Sequence, residues 1–363
     1  DSSAQQEESI FIASLSWNDA DELMKFWVHS LLDTVEALGR NNVYISILES
    51  GSWDGAGDIL MSLAGELDER GVRNRIHTAN VTHLDILEGT IPAEGGWITT
   101  KNGPEVRRIP YLARLRNQVM DDMLRVEEET GKRFDKVLWL NDVKFSPSDV
   151  LTLLRTHHGS YAAACALDYR HPHQYYDTFA TRDISGNEIP SQHWPYFADA
   201  ASQNLLTSGR PVPVQACWGG MLPIPWGRPS DAHPGLRFRA IPDSLSALHL
   251  EASESCLIHT DNPLSPTRGV FLNPRVRVAY SAEVYAAMHT GRHGGARVPL
   301  RTRVRGAWDL RLARWMGGGG RRERRLRGEG SEGREGGEDV EGKGRVCLID
   351  EQQVLRWNGW AHV

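Results

Sequence analysis

The sequence predicts an α/β fold with a Rossmann-like, mainly parallel central sheet flanked by helices. Short apolar runs typical of strands alternate with longer segments of helical periodicity, and this alternation indicates βαβ units. The chain has 363 residues, of which 40% are hydrophobic, so it can bury a substantial core. Polar residues follow several of the apolar runs, and in open α/β sheets ligands bind where the strands end. We therefore expect the binding site at that edge of the sheet.

The amino-terminal elements are predicted to be a strand over 10–17, a helix over 21–38, a strand over 43–49 and a helix over 58–70. Asp19 can cap the first of these helices, and Gly39 can end it. A longer helix over 105–128 follows, and a strand over 137–140 comes after it. Residues 10–145 are therefore expected to form a nucleotide-binding half.

The second half, residues 146–290, is expected to complete the same domain. Its predicted elements are a helix opened by Ser146 and Pro147, a strand over 161–167 that ends on Asp168, and strands over 212–217, 255–259 and 269–272. The loops between them are rich in proline, tryptophan, histidine and tyrosine. Such loops suit a sugar-binding cleft, because aromatic faces pack on the C–H surfaces of pyranose rings.

The carboxyl-terminal part differs in composition. Residues 300–345 include 11 glycines between positions 317 and 344, interleaved there with arginine and glutamate. A segment with so few apolar residues cannot offset its ordering entropy, so 300–345 is predicted to be disordered. The final segment, 346–363, regains Trp357 and Trp360 and is predicted to dock back on the body.

The charge and hydropathy of the sequence restrict the classes of binding partner that we expect. The 41 basic and 47 acidic residues give a formal charge of −6, so no global field favours nucleic acid, and we expect no such partner. No segment approaches the roughly 20 apolar residues that a membrane span needs. The chain as given is expected to be soluble. Because it lacks an initiator methionine and its amino terminus is polar, we expect a fragment whose anchor or targeting segment was removed.

The four cysteines show no CxxC spacing, which argues against a zinc site. The first three, Cys165, Cys217 and Cys256, lie in apolar runs, where a cysteine usually serves as a small buried hydrophobe. In an oxidising lumen one pair, such as Cys217 and Cys256, can instead be bridged. The sequence leaves both interpretations open.

Asn141 and Asp142 come directly after the predicted buried strand 137–140. Their oxygens are hard ligands, and a divalent cation held there can bind the diphosphate of a nucleotide derivative. The alternative is an ordinary turn, in which both side chains bond their own backbone.

Arg116 falls inside the apolar stripe of the helix over 105–128, so its guanidinium is directed toward the sheet. A buried arginine needs an anionic partner, which can be Asp142, Asp135 or a phosphate group of a ligand. A purely structural ion pair is the alternative. Arg114 and Asn117 point elsewhere on the helix, and a role for them requires this helix to lie at the edge of the site.

Eight short motifs, in order along the chain, resemble one family. They are Phe11-Ile-Ala-Ser-Leu-Ser16, Glu49-Ser-Gly-Ser-Trp-Asp54, Arg108-Ile-Pro-Tyr-Leu-Ala-Arg-Leu-Arg-Asn117, Leu140-Asn-Asp-Val143, Ala164-Cys-Ala-Leu-Asp168, Tyr175-Tyr-Asp-Thr-Phe-Ala-Thr-Arg-Asp183, Cys217-Trp-Gly-Gly220 and Ser253-Glu-Ser-Cys256. Together they resemble the fungal α-1,3-mannosyltransferases related to cryptococcal capsule-associated proteins. The resemblance spans roughly residues 10–288.

This resemblance implies a GT-A type glycosyltransferase that moves mannose from GDP-mannose to a mannose-containing glycan in an α-1,3 linkage with retention. It also implies the Golgi lumen, a type II membrane anchor outside this chain, and a product in fungal capsule or cell wall polysaccharide. Residues 10–145 would bind the nucleotide sugar and 146–290 the acceptor. GT-A enzymes bind Mn²⁺ or Mg²⁺ through an Asp-x-Asp motif, whereas this chain has Leu140-Asn141-Asp142.

Site residues are assigned on these grounds. Glu254 and Asp177 are the predicted catalytic carboxylates, which orient sugars and stabilise positive charge at the anomeric carbon. The expected metal ligands are Asn141, Asp142 and His259. The expected donor-binding residues are Ser14, Ser16, Glu49, Arg114, Arg116, Asn117 and Asp142, and the expected acceptor-binding residues are Tyr176, Arg182, Asp183, Trp218, Gly219 and Gly220.

Each role has a structural alternative. Glu254 can cap a helix or be solvated, His259 can be a core or surface residue, and the two glycines can form a simple turn. Asp177, Arg182 and Asp183 can form a mutual salt bridge. Two other functions also stay open: a metal-dependent phosphohydrolase of nucleotide derivatives, and a non-catalytic carbohydrate-binding protein.

Overall fold

The computed structural model describes residues 8–79, 81–89, 95–226, 235–290, 298–316 and 344–363. Its strands are β1 (Ile10–Ser16), β2 (Val43–Glu49), β3 (Arg73–Thr78), β4 (Trp97–Thr100), β5 (Gly103–Val106), β6 (Lys136–Leu140), β7 (Ala163–His171), β8 (Gln174–Tyr175), β9 (Arg182–Asp183), β10 (Val212–Ala216), β11 (Met221–Pro225), β12 (Val270–Ala279), β13 (Gln353–Arg356) and β14 (Gly359–His362).

Its helices are α1 (Ala20–Glu22), α2 (Val28–Leu38), α3 (Ala56–Glu69), α4 (His83–Glu88), α5 (Arg108–Thr130), α6 (Pro147–Leu154), α7 (Ala200–Thr207), α8 (Asp243–Ser246), α9 (Glu254–Asp261), α10 (Ser265–Arg268), α11 (Ala282–His289) and α12 (Leu300–Met316). A π-helical turn, Leu23–Trp27, joins α1 to α2, and short 3₁₀ turns cover 40–42, 156–159 and 345–347. No helix in these described ranges is long and apolar enough to cross a membrane.

The central sheet has the strand order β11-β6-β1-β2-β3, and only β11, at one edge, is antiparallel to its neighbour. The prediction of an α/β fold with a mainly parallel sheet is confirmed. Ser16 pairs with Glu49, and Ser14 pairs with Leu140, so the carboxyl ends of β1, β2 and β6 meet at one edge. This edge positions the site.

Alternating side chains of β1 divide the core. Phe11 and Ala13 belong to a buried cluster with Val119 and Met123 of α5, whereas Ile10 and Ile12 belong to a second cluster with residues of α2 and α3. The period-two alternation of a strand explains this division, because successive side chains point to opposite faces. Helices therefore cover both faces of the central sheet.

A second sheet has the order β8-β7-β12-β10-β9, in which β7 and β12 are parallel. Ala164 and Ala166 of β7 lie in the same buried cluster as Leu140 and Met221 of the central sheet. We had expected Asp168 at the end of its strand. Because β7 extends to His171, Asp168 instead lies within the strand. The small side chains allow the two sheets to pack closely, so residues of both reach the same site.

Two predictions of secondary structure are wrong. The run over 255–259 belongs to helix α9, because the hydroxyl of Ser253 accepts a hydrogen bond from the backbone N–H of Ser255 and caps a helix there. Residues 300–316, expected to be disordered, form α12, where Gly306 fits against the carbonyl oxygen of Trp194. Residues 317–343, which carry the rest of that prediction, lie outside the described residues.

The four cysteines form two disulfides, Cys165–Cys217 and Cys256–Cys347. A bridge between Cys217 and Cys256, and the interpretation of these residues as free thiols, are therefore wrong. The second disulfide ties the carboxyl-terminal segment to α9, and an isolated β-bridge between Arg107 and Val354 attaches the β13–β14 hairpin near the start of α5. The segment over 346–363 thus packs on the body of the domain.

Candidate active site

The ends of β1 and β2 are rigid and polar. The Ser14 hydroxyl donates to the carbonyl of Leu140 at 2.9 Å, and the Ser16 hydroxyl donates to Asp19 Oδ1 at 2.5 Å. Glu49 accepts a hydrogen bond from the backbone N–H of Ser52. All three predicted donor-binding side chains are buried at this edge, where their polar atoms already fix neighbouring loops.

Asn141, directly after β6, is held by the protein itself. Its carbonyl accepts from Trp27 Nε1 at 2.8 Å, its Oδ1 accepts from Trp218 Nε1 at 3.1 Å, and its N–H donates to the Gly220 carbonyl at 2.9 Å. The side chain of Asn141 therefore orients the loop that carries Asp142.

Asp142 is half-buried in an acidic surrounding. Burial, with a smaller contribution from the charge of Glu22, raises the pKa of its carboxyl to about 6, although its own backbone N–H and the charge of Arg170 act in the opposite direction. Burial likewise raises the pKa of Asp19 to about 7, although the bond from Ser16 lowers it. The charges of Asp142 and Asp54 contribute to the rise at Asp19, so both carboxyls lie within electrostatic reach of Asp19. Such a surrounding favours a cation.

His259 is not placed as a metal ligand. It lies on α9, not at a strand end, and its Nε2 donates to the Cys217 carbonyl at 2.6 Å. Burial lowers the pKa of His259 to about 4, so the ring is neutral. Among the described residues no three His, Cys, Asp or Glu side chains form a group that could hold a metal. That search does not include asparagine, so Asn141, Asp142 and His259 as a joint ligand set stays a prediction.

Arg116 is buried, as the helical spacing predicted, but its partner is Glu254. Arg116 Nε donates to Glu254 Oε1 at 3.0 Å, and neither Asp142 nor Asp135 pairs with it. Its guanidinium carbon also lies 4.1, 5.1 and 5.5 Å from the ring centres of Trp218, Trp139 and Phe238. Because aromatic rings and a carboxylate surround it, Arg116 orients Glu254 instead of reaching into open space.

Glu254 is the first residue of α9 and is 2% exposed. Besides Arg116, its Oε1 accepts from the Ser255 hydroxyl at 3.1 Å. The helix amino terminus adds a favourable dipole for this carboxylate. Glu254 thus occupies the helix-end position that we had considered as its structural alternative. This position is compatible with the predicted catalytic role.

Asp177 belongs to a hydrogen-bonded chain of acids. Its N–H donates to Asp168 Oδ1 at 3.0 Å, and its Oδ2 accepts from the Gly219 N–H at 3.1 Å. The Tyr280 hydroxyl donates to Asp168 Oδ2 at 3.1 Å. Burial, together with the charge of Asp177, raises the pKa of Asp168 to about 8, and burial raises the pKa of Asp177 as well. The buried pair therefore retains a proton more readily than ordinary carboxyls.

Arg108 also reaches this group. Burial lowers the pKa of its guanidinium, while the charges of Glu254, Tyr176 and Asp177 raise it. Arg108 precedes Arg116 by eight residues on α5, so the helical spacing places both on a similar side, and this was the signal that we overlooked. The two predicted catalytic carboxylates, Asp177 and Glu254, are thus brought together with two guanidiniums.

Tyr280 connects the two parts of the site. Burial raises its pKa well above the ordinary value, and the charges of Asp168, Asp142 and Asp177 contribute. Tyr176, half-exposed at 39%, packs edge-on against Tyr280 with ring centres 5.1 Å apart and accepts a hydrogen bond from Arg170 at 3.2 Å. No local sequence signal identifies Tyr280, because its partner Asp168 is 112 residues away.

Trp218, Gly219 and Gly220 are used internally. Trp218 is 3% exposed and bonds Asn141, so its ring is not open to a sugar. Gly219 has φ +61°, and a Cβ there would overlap the carbonyl oxygen of Ala166. The close approach that we predicted is therefore made to β7, not to a ligand.

Four other predicted contacts are structural. Arg182 is fully buried and donates to the carbonyls of Phe179, Thr181, Val346 and Cys347, and Asp183 accepts from the N–H groups of Ser185 and Asn187. Both side chains are buried. Asn117 bonds the backbone of Phe238 in both directions. Arg114 Nη1 lies near Gly96.

The sequence profile of the family described as Cryptococcal mannosyltransferase 1 matches residues 9–261. The chain belongs to this family. It is therefore a member of a mannosyltransferase family, and its central sheet is the mainly parallel one that the sequence predicted. No curated protein matches the chain.

Among solved structures, the chain is similar to three glycosyltransferase structures. It is 9% identical to S. aureus TarS (TM-score 0.40, 76% of this chain and 37% of that chain). It is 10% identical to the mannosyltransferase PcManGT from Pyrobaculum calidifontis with GDP-Man and Mn²⁺ (0.39, 86% and 76%), and 13% identical to GalNAc-T7 with UDP, GalNAc and Mn²⁺ (0.41, 75% and 42%). The chain thus spans well under half of TarS and GalNAc-T7.

A divalent cation at this edge would be held by few protein groups. Asp142 fits, since its carboxyl is half-buried in an acidic surrounding; Asn141 Oδ1 is engaged by Trp218, and His259 by Cys217. One or two carboxylates with the phosphates of the substrate are a usual ligand set for Mg²⁺. The donor set is thus compatible with a cation that binds together with a diphosphate.

Proposed function

We propose that this mannosyltransferase family member transfers mannose from GDP-mannose to a mannose-containing glycan and forms an α-1,3 linkage with retention. The observation that carries the proposal is the group of Asp177, Glu254, Arg108 and Arg116, which Tyr280 connects to Asp142 at the carboxyl edge of the sheet. Two carboxylates with two guanidiniums at this edge suit glycosyl transfer, because positive charge develops on the sugar while negative charge develops on the leaving group.

Asp142 would hold Mn²⁺ or Mg²⁺ against the donor diphosphate. Such an ion, when bound, stabilises the negative charge of the departing GDP. The backbone and side chain of Asn141 keep the Asp142 loop in place through Trp27, Trp218 and Gly220, so that this carboxyl needs little reorganisation when the donor binds.

Asp177 and Glu254 would act on the sugars. In a retaining reaction the acceptor hydroxyl attacks the face from which the phosphate leaves, so its proton can pass to that phosphate. Glu254, fixed by Arg116, would stabilise positive charge at the anomeric carbon. Asp177, with a raised pKa, would accept hydrogen bonds from sugar hydroxyls, and half-exposed Tyr176 would contact the acceptor.

We further propose that the chain is the luminal part of a type II Golgi protein and that its product enters capsule or cell wall polysaccharide. The two disulfides support an oxidising compartment, because structural disulfides are rare in the cytosol. A thiol titration of protein recovered from its native cells tests this part. Four reactive thiols after denaturation would contradict it.

The donor site is tested by calorimetric titration with GDP, GDP-mannose and UDP, first with Mn²⁺ and then with EDTA. We expect GDP-mannose to bind more tightly than UDP and only with the metal. Asp142→Asn keeps the volume and removes the charge, so it should weaken metal-dependent binding at least tenfold. Asp33→Asn, on the exposed side of α2, is the control. Equal binding of GDP and UDP, or binding that EDTA leaves intact, would contradict the proposal.

The same titration has a pH dependence with a defined sign. The ionised carboxylate is the metal ligand, and the pKa of Asp142 is raised to about 6. Metal-dependent GDP affinity should therefore be constant at neutral pH and fall as the pH drops below about 6. A product made from GDP-mannose and a mannose oligosaccharide, analysed by nuclear magnetic resonance, then establishes linkage and anomeric configuration.

A further inference from the structure

Three exposed or half-exposed tryptophans collect at one place. Trp17 follows β1, Trp53 follows β2, and Trp357 lies at the tip of the β13–β14 hairpin. The rings of Trp53 and Trp357 have centres 6.1 Å apart and planes inclined by 29°, and Trp17 packs edge-on against Trp53 at 5.4 Å. We call Trp17, Trp53, Trp357 and the neighbouring hairpin residue Trp360 the tryptophan ledge.

Much of the aromatic surface of the ledge is exposed to solvent. Trp53, Trp357 and Trp360 are 50%, 59% and 42% exposed. Single exposed apolar residues are ordinary, but a contiguous exposed patch indicates an interaction site. In addition, the buried Nε1–H of Trp17 has no hydrogen-bond acceptor within the described residues. A buried donor without a partner is rare and indicates that another group completes it.

The ledge continues into the catalytic group through Arg108. The guanidinium carbon of Arg108 lies 4.6 Å from the ring centre of Trp360, and Arg108 Nη1 donates to Gln353 Oε1 at 2.7 Å. The same guanidinium lies within electrostatic reach of Glu254 and Asp177. The hairpin that carries Trp357 and Trp360 lies beyond the family-matched residues 9–261, so family membership assigns it no role.

We propose that the tryptophan ledge binds the neutral sugar chain of the acceptor beyond the mannose unit that reacts. This inference rests on the proposed function. Indole faces pack on the C–H surfaces of pyranose rings, and this contact needs no charge on the ligand.

The open geometry favours a sugar chain over the donor base. Sites for small ligands such as a nucleobase enclose most of the ligand surface. The ledge instead offers ring faces that are about half-exposed and are contributed by both ends of the chain. A surface of this shape covers one side of an extended ligand, as an oligosaccharide requires.

The test compares acceptors of different length in the full chain. Trp357→Ala and Trp53→Ala are assayed with methyl α-mannoside and with an α-linked mannotetraose. Trp308→Ala, 57% exposed on α12, is the matched control. Trp360 is left intact because it touches Arg108. We expect the ratio of the KM for mannotetraose to the KM for methyl α-mannoside to rise about fivefold in each ledge variant and to stay constant in the control.

Binding without transfer separates this inference from the proposed function. Mannotetraose is titrated into donor-free protein by calorimetry, and GDP-mannose binding is measured separately. Tetraose binding that weakens in Trp357→Ala supports the ledge even if GDP-mannose fails to bind, in which case only the proposed function falls. An increased KM for GDP-mannose, equal changes for both acceptors, or tetraose affinity unaffected by Trp357→Ala would each overturn the ledge.

Discussion

At the scale of single residues, the pair of Arg116 and Glu254 is the most consequential contact. Both side chains are at least nine-tenths buried, so each depends on the other for its charge. We predict that Glu254→Gln, which keeps the volume, lowers the free energy of unfolding by about 3 kcal/mol, because Arg116 is then left uncompensated. Urea denaturation measures this loss. Transfer activity should fall at least tenfold.

A double-mutant cycle distinguishes this account from a general loss of packing. If the charge left on Arg116 is the cause, Arg116→Met combined with Glu254→Gln should cost less than the sum of the single changes, since no isolated charge remains. Glu283→Gln, on the exposed side of α11, should change the stability by less than 0.5 kcal/mol in either direction. Strictly additive losses would show that the pair is not coupled.

The same pair shows what sequence can predict for one side chain. The helical spacing of α5 correctly predicts that Arg116 is buried, because that information is local. Its partner was sought among Asp142 and Asp135, whereas Glu254 lies 138 residues away. Such a contact depends on how α9 packs on α5, which no local pattern encodes. His259 was expected in a strand but lies on α9, and the reason for this error is the same.

At the scale of elements, the turn between Trp218 and β11 determines how closely the two sheets approach. Gly219 has φ +61°, and a Cβ would overlap the carbonyl of Ala166 on β7. We predict that Gly219→Ala lowers the free energy of unfolding by about 3 kcal/mol or more, from backbone strain and steric overlap together. Thermal unfolding followed by circular dichroism measures this.

Gly131, at the end of α5, provides the matched control. Its φ of +65° is nearly the same, but a Cβ there meets nothing within 4 Å. Gly131→Ala should therefore cost only the conformational penalty, about 1 kcal/mol. Equal effects of the two substitutions would mean that contact with β7 contributes nothing. The comparison thus isolates the steric part of the glycine requirement.

Elements were predictable where local pattern and tertiary environment agree. β2 has the predicted bounds, and β1 differs by one residue, because buried parallel strands read as continuous apolar runs. The run over 255–259 is also short and mostly apolar, but it forms part of α9, since a short apolar run fits a buried helix equally well. Helix α12 was missed because the glycine-rich composition that follows it dominated the prediction.

At the scale of the whole molecule, the carboxyl-terminal segment closes the domain by returning to its first half. The disulfide Cys256–Cys347 begins this return, the β-bridge from Arg107 to Val354 continues it, and Gln353 holds Arg108. The site therefore depends on residues from both ends of the chain. Docking of this segment was foreseeable from its tryptophans, but its covalent attachment was not, because cysteine spacing does not define pairing.

The disulfide Cys256–Cys347 should accordingly stabilise the hairpin more than the central sheet. It closes a loop with a sequence separation of 91, and the unfolded chain gains entropy when that constraint is removed. We predict that the combined change Cys256→Ser and Cys347→Ser lowers the free energy of unfolding by about 2–4 kcal/mol. In hydrogen exchange, the amides of β13 and β14 should exchange through an opening of lower free energy, while those of β1 keep their protection relative to global unfolding.

The reference is Cys165→Ser with Cys217→Ser, which removes the other bridge, with a separation of 52, and leaves the hairpin attached. Unchanged protection of β13 and β14 in the first variant would mean that non-covalent packing alone holds the hairpin beside Arg108.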